Sequence, residues 1–101
     1  MSFEVEVTHT AGIEITNIVS YLRETLHSEQ AANNFLDELD HQIDLISDVP
    51  QIYAVSTLDV VRDFGFRVAH VNKYVLLYDF DGEKVTVEHI FHSLQNYGRL
   101  I

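Results

Sequence analysis

The stretch Lys73-Tyr-Val-Leu-Leu-Tyr-Asp-Phe-Asp-Gly-Glu-Lys-Val-Thr-Val-Glu-His-Ile-Phe-His92 decides the fold. Two runs rich in β-branched, aromatic and aliphatic residues flank Asp81-Gly82, a pair suited to a tight hairpin because both residues tolerate positive φ. With Asp81 and Gly82 as the loop, Phe80 stands opposite Glu83, Tyr78 opposite Val85, Leu76 opposite Val87 and Tyr74 opposite His89. Alternation then gathers Tyr74, Leu76, Tyr78, Phe80, Val85, Val87, His89 and Phe91 on one face, the expected core. The other face receives Val75, Leu77, Thr86, Glu88, Ile90 and His92, and any chemistry is to be sought there. A further strand from Phe66 makes three in succession.

Working outward, Ser2 to Thr8 alternates Phe3, Val5 and Val7 with Glu4, Glu6 and Thr8, the pattern of a half-buried strand. Ala11, Ile15, Ile18, Val19, Leu22 and Leu26 recur at helical steps, with Thr8 or Thr10 available as the cap. Ser28, followed by Glu29, is placed to cap a second helix whose stripe is Ala32, Phe35, Leu36, Leu39, Ile43 and Ile46. Pro50 stops that helix by about Val49. The link is short, so residues 9–27 and 29–48 form an antiparallel helical hairpin. Gln51 to Gly65 reads as a loop with a helical turn around Thr57 to Val61. Leu94, Tyr97 and Leu100 suggest a short C-terminal helix.

The expected fold is α+β: an N-terminal strand and an antiparallel helical hairpin packed on a mainly antiparallel sheet, in the order β-α-α-β-β-β plus a short C-terminal helix. A chain of 101 residues with 47% hydrophobic content fits one domain over residues 1–101.

The net charge of −10 is unevenly spread. Residues 1–58 hold ten acids against one base, Arg23, whereas residues 59–101 hold six acids against five bases. The helical half is therefore acidic, which disfavours general nucleic-acid binding, since that affinity rests on clustered Lys and Arg. With no cysteine there are neither disulfides nor thiolate metal sites, in keeping with a cytoplasmic protein. The N-terminus does not resemble a signal peptide, and no apolar run is long enough to span a membrane. Glu24, Asp37, Glu38, Asp40, Asp44 and Asp48 lie on the outer faces of the helices, where they read as a solvated surface. They lack a His-containing partner motif at helical spacing such as His-x-x-x-His, so no metal or cofactor is expected.

Several ordered stretches resemble the RelE/ParE superfamily of toxins from type II toxin-antitoxin modules. They are Ile18-Val-Ser-Tyr-Leu22, Ala31-Ala-Asn-Asn-Phe-Leu36, Pro50 with Tyr53, Gly65-Phe-Arg67, Asn72-Lys-Tyr-Val-Leu-Leu-Tyr78, and Val87-Glu-His-Ile-Phe-His92 followed by Asn96-Tyr97. The resemblance implies a single toxin-like domain that forms a hetero-oligomer with a cognate antitoxin. It also implies one of two activities. ParE-like members are plasmid-stabilising growth inhibitors that poison DNA gyrase by binding it. RelE-like members are mRNA interferases, endoribonucleases that cut mRNA, usually on the ribosome.

Matched to the nuclease pattern, Arg67 keeps a basic residue at the start of the second of the family's strands, and Tyr97 keeps an aromatic near the expected place. Val75 stands where many nucleases carry Arg, and His92-Ser-Leu-Gln-Asn96 lacks the Arg residues common after the last strand. The candidate catalytic set is therefore Arg67, His92 and Tyr97. Loss of a cation that stabilises transition-state charge costs about 10² to 10³ in rate, which favours a ParE-like binder over a nuclease with a reduced site. A non-toxic, antitoxin-binding relative is the third reading. Glu88 and His92, four residues apart on one strand, share a face at about 13 Å and do not touch. His89 reads as a structural histidine. His92 can equally anchor the C-terminal segment, Arg62 and Arg67 can neutralise nearby acids, and Tyr74 and Tyr78 read as core.

Overall fold

The computed structural model describes residues 2–56 and 62–95. Strand β1 (Glu4–Val7) leads into helix α1 (His9–Ser20), a π turn (Tyr21–Thr25) and helix α2 (Glu29–Asp48); strands β2 (Arg67–Val71), β3 (Tyr74–Phe80) and β4 (Lys84–His92) follow. The sheet order is β1-β4-β3-β2. Both late hairpins are antiparallel, and β1 runs parallel to β4, so the four-stranded sheet is mixed. The expected helical turn at residues 57–61 lies outside the described residues, as do Tyr97 and Leu100 of the expected C-terminal helix.

The helix boundaries follow from their caps. The Thr8 hydroxyl accepts from the Ala11 N–H at 3.1 Å, and the Ser28 hydroxyl accepts from Ala31 N–H at 3.0 Å. Between the helices His27 takes φ 51°, and Ser28 N–H reaches back to the Leu22 carbonyl at 2.9 Å, which reverses the chain in a few residues. Val49 closes α2 immediately before Pro50.

The core forms one layer between hairpin and sheet. Ala32, Phe35, Leu39 and Ile46 of α2, Ala11 of α1 and Leu22 of the π turn meet Ala69, Val71, Leu76, Tyr78, Val85, Val87 and Ile90 of the sheet. At about 1.5–3 kcal/mol for each large apolar side chain fully buried, this layer is the main source of stability. Leu76 and Tyr78 point toward the helices; Val75 and Leu77 belong to a smaller cluster with Phe66 and Phe91 on the opposite face.

Two features of the β3–β4 hairpin differ from the expectation. The loop is Gly82-Glu83, because the Asp81 carboxylate accepts from the Glu83 and Lys84 N–H groups at 2.8 Å and so holds Asp81 opposite Lys84. Phe80 pairs with Val85 and Tyr78 with Val87. The ladder then shifts between Tyr78 and Leu77, which pairs with His89 and leaves Glu88 as an extra residue in β4. Beyond this bulge the faces exchange. Ile90 and His92 turn toward the helices, while His89 and Phe91 turn away and stack with ring centroids 5.1 Å apart. His89 is therefore not in the main core, and Glu88 and His92 do not share a face.

Candidate functional site: a groove beside the helical hairpin

The sequence builds an open groove where the helical hairpin overhangs the ends of the sheet. One hollow, of about 760 Å³, has Tyr21, Leu22 and Leu26 of the π turn and Ala31, Asn34, Phe35, Asp37 and Glu38 of α2 on one side. Asn72, Lys73, Tyr74 and His92 line the other side. A second hollow, of about 560 Å³, lies against α1, where Glu14, Asn17 and Ile18 face Ile90 and Phe91. Tyr21, Tyr74 and His92 line both, so the two hollows share a wall.

The π turn shapes the rim. Leu26 N–H bonds the Tyr21 carbonyl at 3.0 Å across five residues, a wider turn than the α-helical one. Leu22 stays buried at 8% exposure, but Leu26 is rotated off the core stripe and is 52% exposed, beside Tyr21 at 46%. The opposite rim is set by the tight Asn72-Lys73 link between β2 and β3, where Asn72 supplies the left-handed conformation with φ 54°.

His92 is fixed between the two hollows. Its ring stands edge-on to Tyr74 with centroids 5.3 Å apart, and its Nδ1 accepts from the Leu94 N–H at 3.1 Å. That bond places the proton of the neutral ring on Nε2. Gln95 closes the turn by accepting from His92 N–H through its side chain and donating its own N–H to the His92 carbonyl. Nearby, Glu14 of α1 serves as a surrogate strand: Oε1 accepts from Ile90 N–H at 3.0 Å, and Oε2 lies 3.4 Å from His89 Nδ1. Beyond Thr8, whose N–H and hydroxyl bond the Val87 and Glu88 carbonyls, Glu14 occupies that edge of β4.

Arg67 sits elsewhere. It pairs with Tyr78 at one end of β3, whereas His92 pairs with Tyr74 at the other. Four residues of rise and two strand spacings place the two about 16 Å apart. Arg67 also donates to the Tyr53 carbonyl at 2.6 Å, in a network where the Tyr53 hydroxyl donates to buried Gln42, Gln42 donates to Glu38, and the Tyr78 hydroxyl donates to the Pro50 carbonyl. This network ties the segment after α2 to the core. Val75 and Leu77, at 2% and 0% exposure, offer no polar group to the far face. Tyr97 lies outside the described residues, so of the expected set only Arg67 and His92 are placed, and they are not together.

The far face carries its own electrostatic signature. Burial first, then Asp81, raises the Asp79 carboxyl above the ordinary value; burial first, then Asp79, raises Glu88. Among the described residues, no group of three or more His, Cys, Asp or Glu is placed to hold a metal ion.

The family model of the ParE toxin of type II toxin-antitoxin system, parDE, matches residues 5–97, spanning β1, the hairpin, the groove and all later strands. The chain belongs to the ParE toxin family. Among solved structures, the family fold recurs in a chain of the chromosomal ParDE TA system from P. aeruginosa, with a TM-score of 0.70 at 14% identity. The match covers 90% of this chain and 96% of that one, and at this identity it speaks to fold alone. No curated protein matches by sequence. Among the described residues of this ParE-family chain, no helix is long and apolar enough to cross a membrane. None of Tyr21, Leu26, Asp37, Glu38 and Lys73 is expected at a site from the sequence: Leu26 belongs to the first helical stripe, and Asp37 and Glu38 to a solvated outer face. The signal available for them was Leu26 itself, an apolar residue at the end of a helical stripe next to the link.

Proposed function

We propose that this ParE-family chain is a growth-inhibiting toxin that acts by binding its target rather than by cutting RNA, and that an antitoxin docked in the groove beside the hairpin neutralises it. The observation that carries the reading is the disposition of the cations. Arg67 is committed to the Tyr53 carbonyl about 16 Å from His92, and the central strand carries buried Val75 and Leu77. Phosphodiester cleavage needs donors converging on one phosphate, and Arg67 and His92 do not converge. DNA gyrase is the target we favour, in line with the family. Induced expression with plasmid-supercoiling and mRNA-cleavage readouts tests it. Altered supercoiling without new mRNA ends is expected; specific mRNA cuts abolished by His92→Ala would instead establish the interferase reading.

A further inference from the structure

The charge of α2 is unusual for a surface helix. It carries six acids, Glu29, Asp37, Glu38, Asp40, Asp44 and Asp48, and no Lys or Arg. Asp37, Asp40, Asp44 and Asp48 follow one another at three- and four-residue steps, so they form one ridge of like charge whose neighbours repel. Asp44 and Asp48 also lie at the negative end of the helix dipole, where cations are the stabilising choice and the last turn has none. The ridge begins at the groove, whose lining holds Asp37 and Glu38 beside exposed Tyr21 and Leu26, over a floor of buried Leu22 and Phe35. Glu14, which also accepts from Ile90 N–H, adds a third carboxylate in the adjoining hollow, against the ammonium of Lys73 among the described lining residues.

From this juxtaposition we infer that the groove takes a basic amphipathic segment. Its apolar anchors pack on Tyr21, Leu26 and Tyr74, and its Lys or Arg side chains lie along Asp37, Glu38 and the ridge beyond. The inference rests on the proposed antitoxin docking and names the chemistry of that partner: the neutralising segment is cationic, and the toxin supplies the anionic side. An acidic segment would place like charges against the rim, which costs affinity. Apolar contact alone would leave the repulsion along α2 unrelieved. A cationic partner removes that repulsion on binding and is steered to the groove by the same field, so association is fast and sensitive to salt.

The test uses the full chain and two designed amphipathic peptides with Leu at i, i+3, i+4 and i+7, one carrying Lys at the remaining positions and its twin carrying Glu. The Lys peptide is expected to bind and to weaken about tenfold or more at high salt. Its twin should not bind. Asp37→Asn with Glu38→Gln should weaken the Lys peptide at least about tenfold while keeping the Gln42 hydrogen bond. Leu26→Ser, at an exposed position, should also weaken it. Equal binding of both peptides, indifference to the acid substitutions, or indifference to Leu26→Ser would each overturn the inference. Co-purification with the small protein encoded beside this gene separates this result from the wider reading. If that complex forms and survives high salt and the acid substitutions, antitoxin docking stands and the cationic segment falls. If no complex forms although the Lys peptide passes every arm, the antitoxin reading falls and the groove chemistry stands.

Discussion

Arg67 shows how a residue that matches a nuclease position can serve the fold. Its guanidinium holds the Tyr53 carbonyl at 2.6 Å, and Tyr53 in turn bonds Gln42, a residue only 8% exposed. A hydrogen bond to a charged group contributes about 1.5–3 kcal/mol. Arg67→Ala is therefore expected to lower unfolding stability by about that amount in a urea titration. An unchanged midpoint would release Arg67 from this structural role. The far-face acids titrate in the opposite sense to a salt-bridged carboxylate. Because Asp79 is raised in the folded state by burial and by Asp81, the folded chain binds more protons than the unfolded one between the ordinary and the raised value. Stability thus falls as pH rises through that window and stays reduced above it. Asp79→Asn should raise the melting temperature at pH 7, by a contribution under about 1 kcal/mol for a half-exposed group, and should change little at pH well below the ordinary carboxylate value. A larger gain at acid pH than at neutral pH would contradict the assignment.

At the scale of elements, β4 carries the clearest lesson. Alternation places side chains only along an uninterrupted ladder. The shift of the turn from Asp81-Gly82 to Gly82-Glu83 moves every partner by two positions and leaves the faces intact, so Leu76, Tyr78, Val85 and Val87 were legible as core. The extra Glu88 moves the partners by one more, and from there His89 and Ile90 exchange sides. No turn signal or composition change marks that bulge in Val87-Glu-His-Ile, so the facing of His92 was not legible. The helices were read more fully, because Thr8, Ser28 and Pro50 state their limits; only Leu26 departs, carried off its stripe by the π turn. Since Glu88 is the unpaired residue, its deletion should leave a regular ladder with Ile90 and His92 still toward the helices. Removing Thr86 instead should turn Val85 out of the core and unfold the domain. Side-chain contacts of Ile90 read by nuclear magnetic resonance, with melting curves for both deletions, check this. A Glu88 deletion that exposes Ile90 would refute the bulge.

The whole molecule divides its charge between its layers. The acidic hairpin half covers a sheet half that is nearly neutral, and the groove lies between them. The same layering sets a requirement in time. Strand β1 completes the sheet only by lying parallel to β4, with Glu4 beside Lys84 and Val7 beside Val87, and the Thr8 hydroxyl bonds the Glu88 carbonyl 80 positions away. A contact of such sequence separation closes most of the chain into a loop, so it forms late in folding. Substitutions such as Val5→Ala are expected to speed unfolding while leaving the folding rate nearly unchanged, with Φ near zero in stopped-flow kinetics. On the ribosome the consequence is a delay. While residues 84–87 are still unmade, Phe3 and Val5 have no strand to settle against, and the hairpin has no completed sheet on which to bury its apolar stripe. The interval before it becomes a competent protein is built into the order of its strands.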